Sequence, residues 1–304
     1  MKAGRFNVRL FSVMKLNELL KSSENRFRSA GFDSPEIEAS YMLEEVTGIR
    51  HNLLWTESER ILSPEELSRA DDYMMRRLAH EPFQYICGWE DFRELKLNVA
   101  PGCLIPRPET ELLVDFVLKA LPRNGHACEL GTGSGAISLS IGFERQDSRV
   151  TASEISPDAF AIAESNRKKY GLDNVSIVQG DLFAPFDPEV RFDLLVANLP
   201  YIPESVRETL PQNVRDYEPA LALFADHEGM ALIERALSEA PRYLRPGASL
   251  FFEMGEEQGT ALAAFARSLN CYTDIQILQD QYGADRFLTC IFSPDTCKND
   301  CGTV

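Results

Sequence analysis

Between residues 126 and 254 the chain alternates short apolar runs with helical stretches, and this alternation constrains its fold more than any other feature. The apolar runs fall at 126–130, 149–155, 175–179, 192–197 and 248–254, and helical patterns occupy 135–143, 157–170 and 228–244 between them. Brief apolar strands separated by helices predict βαβ units, that is, a parallel sheet covered by helices on both faces. Two further β-like runs, 272–279 and 286–292, follow a helical stretch at 257–269 and are separated by the hairpin-length loop Asp280-Gln281-Tyr282-Gly283. The sheet is therefore expected to end with an antiparallel strand. The fold class is α/β.

The first eighty residues read differently. Leu16, Leu19, Leu20 and Phe27 fall on one helical stripe that Gly31 closes. Asp33-Ser34-Pro35-Glu36 opens a second helix, with Ile37, Tyr41 and Val46 as apolar markers up to Gly48. Ser63-Pro64-Glu65-Glu66 opens a third, in which Ser63 caps, Pro64 takes the first turn and Glu66 completes a capping box, and it runs to about His80. Phe92, Leu95, Leu97 and Val99, with charged residues between them, predict a β-hairpin. Pro106 to Glu111 then introduces a helix with Leu112, Leu113, Phe116, Val117 and Leu118 as its buried face. The expected organisation is an extension at 1–14, a helical domain at 15–82, a β-hairpin linker at 83–105, the α/β domain at 106–293 and a polar tail at 294–304.

Charge narrows the function classes. The 304 residues carry 31 Lys and Arg against 47 Asp and Glu, a formal charge of −16. Residues 1–80 are nearly balanced, with 12 basic and 13 acidic side chains, so almost all of the excess acid lies beyond residue 80. An α/β domain of that charge is a poor match for a phosphate backbone, whose binding rests on Lys and Arg. No apolar run approaches the roughly 20 residues of a membrane span. The seven cysteines are odd in number and scattered, and no signal peptide is expected, so reduced thiols in the cytoplasm are the plain reading. Cys297 and Cys301 have no second Cys or His pair beside them, and no metal site is expected. His51, His80, His126 and His227 fall in no constellation with Cys or Ser, and Trp89 reads as a packing residue.

One motif lies where the first strand of the α/β region hands over to its helix: Glu129-Leu130-Gly131-Thr132-Gly133-Ser134-Gly135. Three glycines let backbone amides approach a ligand, and the helix start beyond them favours a carboxylate or phosphate. Glu154, nineteen positions after Gly135 at the end of the next strand, is placed to accept both hydroxyls of a ribose. The combination points to a nucleoside cofactor, either a dinucleotide or S-adenosylmethionine. Asp181 and Leu182 follow the third strand and suit the amino edge and face of an adenine.

The fourth strand decides between the two cofactors. Phe192–Ala197 runs directly into Asn198-Leu199-Pro200-Tyr201, the Asn-X-Pro-Tyr pattern of methyltransferases that act on planar nitrogen. An amide or aryl amine nitrogen is a weak nucleophile because its lone pair is delocalised, as the peptide rotation barrier of ~18–20 kcal/mol illustrates. A site that accepts both N–H hydrogens localises the lone pair. Asn198 would supply one acceptor through its side-chain oxygen. The Leu199 carbonyl would supply the other, held by the extended bias that Pro200 imposes on Leu199. Tyr201 would offer an aromatic face to a flat substrate group.

With these residues in view, the chain resembles the release-factor glutamine methyltransferases, the PrmC/HemK family, from about residue 15 onward. The resemblance is carried by Phe83 to Gly88, Leu104 to Glu111, Gly131 to Gly135, Asn198 to Tyr201, Tyr217-Glu218-Pro219-Ala220, Glu253-Met254-Gly255 and Asp280 to Arg286. The stretch Arg107-Pro108-Glu109-Thr110-Glu111 is the most family-specific. The resemblance implies a seven-stranded class I (Rossmann-like) methyltransferase domain behind a small helical substrate-recognition domain. It also implies methyl transfer from S-adenosylmethionine to the glutamine of the Gly-Gly-Gln motif in peptide-chain release factors. Such an in-line transfer needs no metal, and a cytoplasmic monomer is expected. Carried over by motif, Gly131, Thr132, Gly133, Ser134, Gly135, Glu154, Asp181 and Leu182 would bind the cofactor with a contribution from Asn198. Asn198, Leu199, Pro200 and Tyr201 would bind the glutamine, with Asn198 as the catalytic residue. Arg107 and Glu109 either line the site or cap a helix.

The chain departs from the family pattern in three places. Leu199 replaces a usual proline, Glu154 a usual aspartate, and Phe224-Ala225 a usual pair of glycines. Asn-Leu-Pro-Tyr also resembles the ribosomal RNA adenine dimethyltransferases, so adenine N-methylation of RNA or DNA stands as the alternative. A nicotinamide-dependent oxidoreductase and a non-enzymatic adaptor on the same fold are more distant ones.

Overall fold

The computed structural model describes residues 14–294. They fall into two compact units, one running to Cys87 and the other beginning at Gly88. Residues 1–13 and 295–304, with Cys297 and Cys301, lie outside the described residues.

The first unit is helical: α1 (Leu16–Ser29), α2 (Pro35–Thr47), α3 (Pro64–Leu78) and the short α4 (Phe83–Cys87). The start of α3 carries the reciprocal bonds of a capping box. Ser63 Oγ accepts from the Glu66 amide at 3.1 Å, and Glu66 Oε2 accepts from the Ser63 amide at 2.8 Å. Gly48 ends α2 in the left-handed conformation. One expectation changes here. Ile37 and Tyr41 are largely exposed, and the face that α2 buries is Ala39, Met42, Leu43 and Val46. Those four positions follow the i, i+3, i+4, i+7 pattern of a core-facing stripe, which Ile37 and Tyr41 do not share.

The second unit opens with the hairpin β1 (Trp89–Phe92) and β2 (Leu95–Asn98), whose Phe92, Leu95 and Leu97 are buried. Of the 83–105 segment expected as a linker, residues 83–87 are thus helical and belong to the first unit, while the hairpin belongs to the second. Next comes α5 (Pro108–Ala120), which buries Leu113 and Val117 of the expected face, packs Leu112, Phe116 and Leu118 half-buried against the same core, and adds the buried Thr110 and Val114.

The alternating region then gives β3 (His126–Leu130), α6 (Ala136–Glu144), β4 (Arg149–Glu154), α7 (Pro157–Tyr170), β5 (Val175–Gln179) and β6 (Phe192–Ala197). A connection of small elements follows: β7 (Ile202–Pro203), α8 (Gln212–Tyr217), α9 (Ala220–Leu223) and β8 (Phe224–Ala225). The unit ends with α10 (Ala231–Glu239), β9 (Leu244–Glu253), α11 (Gly259–Ser268), β10 (Tyr272–Gln279) and β11 (Asp285–Phe292).

The sheet has seven strands in the order β10-β11-β9-β6-β3-β4-β5. Only β11 runs against its neighbours, and it inserts between β9 and β10 instead of closing the edge. The central strands read as near-continuous apolar runs because helices cover both faces; in β6, Leu194, Leu195, Val196 and Ala197 are all fully buried. The helix expected over 228–244 is shorter than its pattern. His227, Glu228 and Gly229 take positive φ before it starts, and Pro241 stops it. Strand β9 begins at Leu244, earlier than expected, and crosses Pro246-Gly247 through a register shift against β6. This is a class I methyltransferase fold. Among the described residues, no helix is long and apolar enough to cross a membrane.

Candidate active site

Strands β3 and β6 are parallel neighbours at the centre of the sheet. From β3 the chain crosses outward to β4 and β5, and from β6 it crosses the other way to β9. The diverging connections leave a crevice at the carboxyl ends of the two strands, the usual ligand position in an open α/β sheet. Gly131 to Ser134, Glu154, Asp181, Leu182, Asn198, Leu199 and Pro200 all line one cleft there. Gly135 and Tyr201 are not among the lining residues: Gly135 is the left-handed N-cap of α6, and Tyr201 packs half-buried against the core.

The glycine loop is held by two carboxylates. Glu129, almost fully buried, accepts from the Thr132 hydroxyl at 2.5 Å and from the Ser138 amide at 2.9 Å, tying the loop to the first turn of α6. Burial pushes its pKa up to about 7 against those hydrogen bonds. No Lys or Arg pairs with it among the described residues. Glu154 bridges two backbones, with Oε2 accepting from Gly133 N and Oε1 from Ser156 N, each at 2.8 Å. Burial also raises its pKa. Each oxygen keeps a lone-pair direction for a ligand. A methyl group placed on Gly133 would touch nothing within 4 Å, so this left-handed glycine (φ +59°) keeps the cradle open. Asp181 is half-exposed and paired with Arg235 at 2.9 Å. Leu182, beside it, is buried at φ +45°, a strained backbone for a branched residue.

Asn198 sits at the end of a buried polar chain. Its Nδ2 donates to Thr110 Oγ1 at 3.2 Å, and the Thr110 hydroxyl donates to Glu253 Oε2 at 2.7 Å. Tyr201 donates its hydroxyl to the other Glu253 oxygen at 3.2 Å. Burial raises the pKa of Glu253, opposed by these two hydroxyls and by the Arg286 guanidinium. Burial first, and then the Glu253 charge, hold the Tyr201 phenol protonated. Leu199 is buried with a methyl group against Gly131, and a Cβ on that glycine would lie 2.9 Å from it.

The sequence places the chain among known proteins. Residues 18–88 match the PrmC N-terminal domain and residues 121–279 a methyltransferase domain. The release factor glutamine methyltransferase of Moorella thermoacetica is 37% identical over 276 residues, covering 90% of this chain and 97% of that protein. This chain belongs to the release factor glutamine methyltransferase family. The family's Vibrio cholerae protein is 37% identical over 268 residues, 88% of this chain and 93% of its own. Among solved structures, a methyltransferase from Pyrococcus furiosus shares the fold, with a TM-score of 0.50 at 20% identity over 66% of this chain and 89% of that one.

Several residues around the cleft of this family member were not singled out as site residues by sequence reasoning. Thr110 and Glu253 lie within segments that carry the family resemblance, yet an acid closing an apolar strand and a threonine in a helix's first turn give no separate signal. Gln258 is another. Its Nε2 donates to the carbonyls of Tyr201 and Glu228, both at 2.8 Å, and its Oε1 accepts from Gly255 N. Arg107, left open between two roles, lines the cleft and also pairs at 2.5 Å with the fully buried side chain of Glu218. Glu218 also accepts from Ile105 N, clamping the Tyr217–Ala220 segment to the entrance of α5. None of the four histidines lines the cleft.

Proposed function

We propose that this enzyme transfers a methyl group from S-adenosylmethionine to the side-chain amide nitrogen of the glutamine in the Gly-Gly-Gln motif of a peptide-chain release factor, in the cytoplasm. The observation that carries the reading is the Asn198 amide. Its nitrogen is committed to Thr110, which leaves Oδ1 as the acceptor available to a substrate N–H.

The cleft fits the cofactor. The open cradle at Gly133, the unpaired acid at Glu129 and the remaining lone pairs of Glu154 suit a ligand with a cationic end and a ribose. Glu154 would take the ribose hydroxyls, Asp181 and Leu182 the adenine, and Gly131 to Gly135 the amino-acid end. When bound, S-adenosylmethionine supplies a methyl group on a positively charged sulfur. Asn198 Oδ1 and the Leu199 carbonyl would each accept one N–H of the glutamine amide, localising the nitrogen lone pair. Pro200 and Tyr201 would wall the glutamine site. Catalysis then rests on positioning and pre-organised acceptors: the amide nitrogen would gain the methyl group as the sulfur–methyl bond breaks, S-adenosylhomocysteine would leave, and the surplus amide proton would pass to water.

Glu129 gives a pH dependence with a definite sign. A cationic ligand favours the ionised acid, so binding below pH 7 releases a proton and the affinity rises as pH rises towards about 7, then levels off. Calorimetry of S-adenosylmethionine at pH 5.5, 6.5 and 7.5 should show this rise, and Glu129→Gln should flatten it. An unchanged slope in that variant would remove Glu129 from the role.

Adenine methylation would use the same Asn198 to Tyr201 acceptors, so substrate must be tested directly. Labelled S-adenosylmethionine is offered with a release factor and, separately, with short RNA and DNA. Label on the release factor alone supports the reading, and label on nucleic acid alone overturns it. A parallel titration with NAD should show no saturable binding.

A further inference from the structure

We infer that Thr110 and Glu253 are positioning residues that fix which end of the Asn198 amide faces the substrate. The inference rests on the proposed amide-nitrogen chemistry and names the residues that make Asn198 an acceptor.

The two ends of an asparagine amide have nearly the same shape but opposite hydrogen-bonding character, so packing alone does not select between them. Here the selection comes from a chain with one polarity. Glu253 is 1% exposed and, as a carboxylate, can only accept. Tyr201 occupies its Oε1, and the Thr110 hydroxyl spends its single hydrogen on Oε2. With that hydrogen committed, Thr110 Oγ1 can only accept from Asn198, which turns Nδ2 inward and Oδ1 to the cleft. Burial favours the protonated form of Glu253, against which the two donated hydroxyls and the Arg286 guanidinium, itself 3.3 Å from Asp280, favour the ionised form that gives the chain this polarity. Were the amide reversed, two N–H donors would confront the N–H groups of the substrate.

Thr110 is buried in the first turn of α5, and Glu253 closes β9, so both anchors sit on regular elements rather than on the loop that carries Asn198. That arrangement keeps the orienting groups fixed while the loop admits substrate.

The test uses the full chain with a release factor and S-adenosylmethionine. Thr110→Val keeps the shape and removes the hydroxyl. It should lower kcat by about 10²-fold, the loss typical of one pre-organised hydrogen-bonding group. KM and the calorimetric Kd for the cofactor should stay within about threefold, because no cofactor group is altered. Thr110→Ser restores the hydroxyl and should recover most of kcat. Glu253→Gln, which offers the two hydroxyls one acceptor in place of two, should lose kcat in the same direction. A Thr110→Val enzyme with wild-type kcat, or a Thr110→Ser enzyme as slow as Thr110→Val, overturns the inference. Failure of the wild type itself to methylate any release factor overturns the functional reading instead. A readout independent of substrate is the hydrogen exchange of the Asn198 side-chain NH₂ by NMR. It should be slowed in the wild type and fast in Thr110→Val, and equal exchange in the two counts against the hydrogen-bonded orientation.

Discussion

Asn198→Ala is expected to cut kcat by about 10²-fold or more, the cost of removing one pre-organised hydrogen-bonding group from an active site, while cofactor affinity moves by less than about threefold. The asymmetry follows from the cleft. The other residues expected to hold S-adenosylmethionine lie at the ends of β3, β4 and β5 or on the loops after them, whereas Asn198, expected to add one contribution there, lies at the end of β6 and faces the proposed amide. Its side chain is only partly buried, so truncation opens no large cavity. It does free Thr110 from its acceptor role, a small loss because the hydroxyl keeps Glu253. Steady-state kinetics with a release factor, set beside a calorimetric cofactor titration, reads both quantities. Equal turnover in the variant and the wild type would remove Asn198 from catalysis.

Gly229→Ala should be among the most destabilising single substitutions in the second unit. Gly229 sits at φ +81° after two residues, His227 and Glu228, that also have positive φ. A methyl group there would overlap the carbonyl oxygen of Tyr201 and lie 2.7 Å from Gln258 Nε2. The clashing atom is backbone, so it cannot rotate away. Gln258 binds the carbonyls of Tyr201 and Glu228 together, so the loop can yield only by breaking a bond of a nearly buried amide. Left-handed strain of about 1–2 kcal/mol and an overpacking cost of about 1–3 kcal/mol suggest a loss of roughly 2–5 kcal/mol. In a unit of this size that corresponds to a Tm lower by roughly 4–20 °C. Turnover should fall as well, since the displaced segment carries the proposed substrate wall. A melting temperature within about 2 °C of the wild type would contradict this packing.

Much of this architecture was legible because helix and strand periods differ and the strands are buried on both sides. β3, β5, β6 and β10 fall where their apolar runs predicted, as does α7, with Pro157 at its start and Gly171 just past its end. Legibility failed where tertiary contacts choose among equivalent faces. Ile37 and Tyr41 are apolar enough to have faced inward like Met42 and Leu43, and on α5 Thr110 and Val114 join the buried Leu113 and Val117 without any signal in the pattern. The connection from Asn198 to Gly229, with its small elements and parallel β7–β8 pair, has no period to read.

The proposed site divides along the same line. The glycine loop, Glu154 and Asn198 to Tyr201 announce themselves because each sits at a strand end with chemistry matched to a ligand. Thr110, Glu253 and Gln258 do not, since each is joined to the proposed site residues only by hydrogen bonds across the fold. Their partners are 88, 52 and 57 positions away in the chain for the pairs Thr110–Asn198, Glu253–Tyr201 and Gln258–Tyr201. Only the folded sheet brings them together. The −16 charge remains informative beside these details, because it weighs against a nucleic-acid groove at a site whose acceptors would also suit adenine.

The proposed chemistry stands or falls on methylation of a glutamine side chain in this cleft. The most direct measurement is mass spectrometry of the Gly-Gly-Gln peptide from a release factor incubated with the enzyme and S-adenosylmethionine, beside a release factor whose glutamine is replaced by alanine. One added methyl group is expected on the glutamine nitrogen of the first protein and none on the second. Methylation of both to the same extent, or at another residue, would contradict it.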